Sequence, residues 1–141
     1  MIDHVFVYGT LKTGQCRGGL WPAKPLSVQP AWVRGTLYGR HDYPAMMPGN
    51  DRVLGQVWSF DPSDMTTVMR VLDQIEGTSQ PGYPDLYVRA TLPTFGLDNA
   101  PIALAHAYHY AKPPELDGFT KIVAIDDPPG FAQWPAVSMP S

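Results

Sequence analysis

The chain has 141 residues, 44% of them hydrophobic, and its 10 basic and 13 acidic side chains leave a formal net charge of −3. That length is one ordinary domain, long enough to bury roughly two-thirds of its unfolded surface, so residues 1–141 are read as a single unit. No block of like charge interrupts the sequence, which excludes a nucleic-acid footprint and a membrane-surface patch, and the lone Cys16 excludes an internal disulfide and a multi-thiolate metal site.

Met1 leads directly into a β-branched run with no charged and apolar leader, and no stretch approaches the roughly 18 apolar residues of a membrane span. A soluble cytoplasmic protein with a small-molecule partner is expected. Sixteen Pro and thirteen Gly, about a fifth of the chain, predict many short strands and turns.

His4 to Tyr8 reads as a strand that breaks at Gly9-Thr10. Gly9 has no Cβ, so the chain there is either a plain strand-to-loop turn or a bend of free amides able to receive an anion or oxyanion. A Gly- and Pro-broken surface segment follows to Pro25. Trp32–Gly39 and Val53–Phe60 read as two strands that can pair antiparallel, with a Pro-punctuated loop over Tyr43–Gly49 between them. Gly35 and Gly39 share a face with Val33 and Leu37, which predicts a close approach or a bend there.

The clearest element runs from Asp61 to Gly77. Asp61 suits the N-cap, Pro62 the first helical position and Gly77 the left-handed residue past the end. Met65, Val68, Met69, Leu72 and Ile75 form one apolar stripe. Glu76 departs from this pattern, because a carboxylate in the last turn faces the negative end of the helix dipole. Its spacing from Leu72 and Met69 puts it at the edge of the stripe. It is either a solvent-facing residue at a frayed end or a half-buried acid whose pKa rises into the range of proton transfer. Asp73, one turn earlier, is read as a surface residue.

Beyond a Gly/Pro loop, Leu86–Leu92 is a strand with Leu86, Val88, Ala90 and Leu92 on one face and Tyr87, Arg89 and Thr91 on the other. Arg89 either orients a nearby carboxylate or belongs to a solvated face. Ile102–Tyr110 alternates as well, with Tyr108 and Tyr110 on one face and three alanines on the other. His106 and His109 fall on opposite faces, so they cannot share a metal from this register, and His4 and His41 bear no spacing relation to them. From about residue 113 a Pro-rich segment predicts irregular structure. No phosphate-binding or dinucleotide glycine pattern, no nucleophile elbow and no zinc-protease helix occurs.

Six blocks in order, Val5 to Lys12, Gly35 to Tyr38, Tyr43 to Met46, Gly55 to Trp58, Leu72 to Gly77 and Tyr87 to Arg89, resemble the γ-glutamylcyclotransferase-like (AIG2-like) family, with weaker similarity through Tyr108-His109-Tyr110. The resemblance implies an α+β fold, a small mixed β-barrel with few helices. It implies that Tyr8, Gly9, Thr10 and Leu11 offer main-chain amides to a γ-glutamyl group and that Glu76 is the catalytic acid/base. Tyr87 and Arg89 would line or support the site, and Tyr110 would be a pocket wall. The implied reaction closes 5-oxoproline and frees an amine, amino acid or peptide, with no metal or other cofactor. The alternative is a non-catalytic module that binds a γ-glutamyl compound or small carboxylate in the same pocket. Where the family often carries Gly-Asp-Trp near its end, this chain has Asp126 to Trp134, which changes that edge.

Overall fold

The computed structural model describes residues 2–9, 11, 12, 15, 17–78, 80, 82, 84–123, 125, 126 and 129–134, with only the backbone at 125, 126 and 129. Thr10 and Cys16 therefore lie outside the described residues. The elements in chain order are β1 (His4–Val7), β2 (Ser27–Gly39), β3 (Pro44–Ser59), a 3-10 turn (Pro62–Asp64), α1 (Met65–Glu76), β4 (Tyr87–Phe95) and β5 (Pro101–Tyr110). A second 3-10 turn (Pro114–Asp117) and the short strands β6 (Thr120–Lys121), β7 (Ile125–Asp126) and β8 (Pro129–Ala132) complete the chain.

Five strands close a barrel in the order β2-β4-β5-β1-β3, with β3 pairing back onto β2. The barrel is mixed, because β1 runs parallel to β5 and antiparallel to β3. Alternation along β1 supplies two cores at once. Val5 and Val7 face Met65, Val68, Met69 and Leu72 of α1, together with Trp58 and Phe60. Phe6 faces the other way, into a lumen filled by Val33, Val53, Val57, Ala105 and Ala107. Ala105 and Ala107 of β5 are thus explained by crowding inside the barrel.

The helix begins as its sequence suggests, with one modification. Asp61 accepts the Ser63 N–H at 2.9 Å, but the turn it caps is 3-10, and the α-helix proper starts at Met65. Gly77 ends it at φ 66, and the Gly77 and Thr78 N–H groups satisfy the Gln74 and Asp73 carbonyls.

Several expectations are corrected. The anticipated loop over Tyr43–Gly49 is mostly strand, since Thr36–Gly39 pairs with Pro44–Met47 and the hairpin connection shrinks to residues 40–43. The irregularity sits instead at a bulge, where Gly35 opposes Asp51 and Thr36 opposes Met47, leaving Pro48, Gly49 and Asn50 without partners in β2. The alternation at Leu86–Leu92 left open which face is covered, and at its start Tyr87 is buried while Leu86 and Val88 are exposed. The Pro-rich end is less irregular than expected, because β8 lies parallel to β3 and β6 extends β2.

Candidate active site

The chain leaves β1 at Val7 and turns at once. Lys12 N–H donates to the Gly9 carbonyl at 3.1 Å, closing the turn. The turn is tied down from several directions. The Tyr8 phenol reaches back to donate to the Tyr108 carbonyl at 2.7 Å. The Trp21 indole, stacked on Trp58 at 4.2 Å, donates to the Leu11 carbonyl at 3.1 Å. Lys12 Nζ donates to the Trp134 carbonyl, and burial lowers the Lys12 pKa. Gly9 cannot be replaced without displacement, since a Cβ there would lie 2.6 and 2.8 Å from the Pro44 ring.

Opposite the turn stands the end of α1. The Thr78 hydroxyl donates to the Tyr87 carbonyl at 2.6 Å, and Leu86 N–H donates to the Gly77 carbonyl at 3.0 Å, so two hydrogen bonds tie the helix end to the start of β4. Between them lies a cavity. Phe6, Val7, Tyr8, Gly9 and Leu11 form one wall; Ile75, Glu76, Leu86 and Tyr87 form the other; Tyr43, Pro44, Tyr108 and Arg17 complete it.

Glu76 is the sole carboxylate among these described lining residues. Burial pushes its pKa up to about 7, while the Arg17 charge pulls the other way. Asp73 has no part in that shift. It is turned aside to accept the Tyr108 hydroxyl at 2.6 Å and to pair with Arg89 at 3.3 Å. Three of the four cavity tyrosines are held by protein acceptors: Tyr8 and Tyr108 as described and Tyr87 through the Pro44 carbonyl at 2.6 Å, and burial raises the phenol pKa of all three, keeping them protonated. What remains is a carboxyl group able to take and return a proton near neutrality, set in an apolar pocket beside a backbone turn.

The structure thus brings Tyr8, Gly9, Leu11, Glu76 and Tyr87 around one cavity. Arg89 and Tyr110 are not among the lining residues and stand behind them. Arg89 is on the outer side of Asp73 and connects to the cavity only through the chain Arg89, Asp73, Tyr108. Tyr110 packs edge-on against Tyr87 at 5.1 Å and donates to Asp117, one layer behind the wall. Arg17, Tyr43 and Tyr108 are cavity residues that were not picked out in advance. Tyr43 and Tyr108 stood within the recognised blocks, but Arg17 lies in a glycine-broken segment with no period to mark it. Removing the Tyr108 hydroxyl should cost about 1–2 kcal/mol, because Asp73 then loses a partner in a half-buried position. Urea unfolding of Tyr108→Phe beside wild type measures it.

A family model described as γ-glutamyl cyclotransferase, AIG2-like, matches residues 5–126. The chain belongs to the AIG2-like γ-glutamyl cyclotransferase family. Among solved structures, an AIG2-like protein (GGACT) from Mus musculus is similar at 24% identity and a TM-score of 0.64, over 85% of each chain. YkqA from Bacillus subtilis is similar at 22% identity and a TM-score of 0.59, over 86% of this chain and 38% of that one. A structure described as γ-glutamyl cyclotransferase aligns at 15% identity and a TM-score of 0.50, over 84% and 68%. These likenesses show the shared barrel. No curated protein matches the chain in sequence. Among the described residues, no helix is long and apolar enough to cross a membrane, and no group of His, Cys, Asp and Glu is placed to hold a metal ion.

Proposed function

We propose that the cavity converts a γ-glutamyl amino acid, peptide or amine to 5-oxoproline and a free amine, with Glu76 as acid/base and the turn Tyr8 to Leu11 as receptor of the reacting carbonyl. The observation that carries this reading is the position of Glu76, half-buried in the wall of the same cavity as that turn, with desolvation pushing its pKa up to about 7. The ionised carboxylate takes a proton from the substrate's α-ammonium group. The freed nitrogen attacks its own γ-carbonyl carbon, forming the ring C–N bond, and the developing oxyanion meets backbone N–H groups of the turn. Collapse breaks the bond to the departing nitrogen. Of the three ammonium protons, one stays on the lactam nitrogen and two end on the leaving amine, with Glu76 as relay. Ring closure already has a high effective molarity, so orientation and a proton carrier suffice.

The test is product analysis by mass spectrometry with γ-glutamyl amino acids, γ-glutamyl amines and glutathione. Stoichiometric 5-oxoproline is the expected product. Free glutamate would identify hydrolysis instead, and binding without turnover would identify a recognition module.

The pH profile is a second check. Glu76 must be ionised in the free enzyme to act as base, so kcat/KM should rise with pH and level off through a midpoint near 7. A midpoint near 4.5, the value of an unburied glutamate, would show that the carboxylate acting as base does not carry a raised pKa.

A further inference from the structure

A γ-glutamyl group presents two charges on one carbon, an ammonium and a carboxylate. If Glu76 receives the ammonium, the carboxylate must sit within a few ångströms of the same place, since both are attached to Cα. The wall of the same cavity holds a cation. Arg17 lines it together with Glu76, and the two are close enough for the guanidinium to hold down the carboxyl pKa.

The other nearby cations are committed. Arg40 is paired with Asp42 at 2.8 Å and stacked over Tyr43 at 4.8 Å and Phe119 at 4.4 Å. Lys12 Nζ is turned to the Trp134 carbonyl. Arg89 belongs to Asp73. The phenols of Tyr8, Tyr87 and Tyr108 donate to protein acceptors, so they do not supply a carboxylate's hydrogen bonds. Among the described lining residues Arg17 is the one cation, and a planar guanidinium fits a carboxylate with two parallel hydrogen bonds.

We infer that Arg17 is the α-carboxylate clamp of this cavity, pairing with Glu76 to recognise the zwitterionic end of the substrate and not its leaving group. The inference rests on the cyclotransferase reading for what the ligand is, and it adds a specificity residue to that reading. It also gives Arg17 a consequence for chemistry. With the α-carboxylate held, the α-nitrogen is turned to Glu76 and the γ-carbonyl to the turn at Gly9.

The experiment compares wild type, Arg17→Ala and Arg17→Lys on two ligand pairs. One pair is γ-glutamyl-amine against the 4-aminobutanoyl amide of the same amine, which can close the equivalent ring but lacks the α-carboxylate. The other pair is 5-oxoproline against 2-pyrrolidinone, measured by calorimetric or NMR titration without turnover. Wild type should prefer the carboxylate-bearing member of each pair. Arg17→Ala should lower that preference by about tenfold to hundredfold, the effect of losing a charged hydrogen-bond pair, with Arg17→Lys between the two. The loss should be the same for γ-glutamyl amines and γ-glutamyl amino acids.

Turnover by wild type with an unchanged preference in Arg17→Ala overturns the clamp and leaves the cyclotransferase reading standing. A loss confined to amino-acid leaving groups also overturns it, by placing Arg17 on the other side of the scissile bond. If wild type turns over no γ-glutamyl compound while 5-oxoproline binding still depends on Arg17, the clamp is supported and the cyclotransferase reading falls. Thermal unfolding of each variant establishes that it is folded.

Discussion

Glu76→Gln is expected to lower kcat/KM by about 10²- to 10⁴-fold, the usual contribution of a positioned acid/base, and at the same time to stabilise the protein at alkaline pH. The amide keeps the shape and loses the proton relay. Its effect on stability follows from linkage. The folded-state pKa is raised from 4.5 to about 7, so between these values the folded protein holds a proton that the unfolded chain has released. Stability therefore falls as pH rises from 4.5 to 7, and above 7 the full cost of a buried carboxylate is present. The glutamine removes that cost. At pH 8 the variant should be more stable by about 1–3 kcal/mol, and near pH 4, where Glu76 is protonated in both states, the difference should vanish. Urea unfolding at the two pH values measures it. Equal stability of the two proteins at pH 8 would show that Glu76 is not buried at a cost, and a variant with undiminished turnover would exclude it as the acid/base.

Gly9→Ala should have the second large effect, and for a steric reason. The added methyl would fall 2.6 Å from Pro44 Cγ and 2.8 Å from Cδ, and a proline ring inside a paired strand cannot swing away. The turn must lift off β3. Overpacking of this kind costs about 1–3 kcal/mol, and a displacement near 1 Å at a reacting group costs about 10²-fold in rate. Pro44 also carries the carbonyl that accepts the Tyr87 hydroxyl, so the disturbance reaches the opposite wall. Gly19→Ala is the matched comparison, because nothing lies within 4 Å of a Cβ at that position. Thermal unfolding and steady-state kinetics on both variants separate the two sites. A Gly9→Ala protein with the stability and kcat/KM of wild type would show that the turn need not hold its place.

These effects depend on features with different visibility in the chain. Local order was legible. The alternation of Val5, Phe6 and Val7 assigns neighbours to opposite faces, and the stripe from Met65 to Ile75 with Asp61 before it and Gly77 after it marks the helix. Glu76 stood out by breaking that stripe, and the structure places it in the cavity wall, with burial as the cause of its raised pKa.

Periodicity assigns a residue to a face and is silent about what that face meets. At the start of β4, Leu86 and Val88 are exposed and Tyr87 between them is covered, because Tyr87 joins Tyr108 and Tyr110 of β5 in the core beside the helix. Asp73 looked like a surface acid, yet tertiary packing gives it the Tyr108 hydroxyl and the Arg89 guanidinium. That pairing in turn moves Arg89 outward from the site. The loop expected at Tyr43–Gly49 became strand because β2 was present to pair with it, with the extra residues collected in a bulge at Pro48–Asn50.

Arg17 marks the same boundary most sharply. Its segment has no regular period, so local sequence gives it no face at all; only barrel closure, which sets the turn after β1 opposite the end of α1, brings its charge beside Glu76. The residues by themselves determined the cores of the five barrel strands, the helix and its odd carboxylate. Which groups share a low-dielectric cavity was decided by long-range pairing, because burial and charge proximity depend on distances in space that sequence separation does not carry.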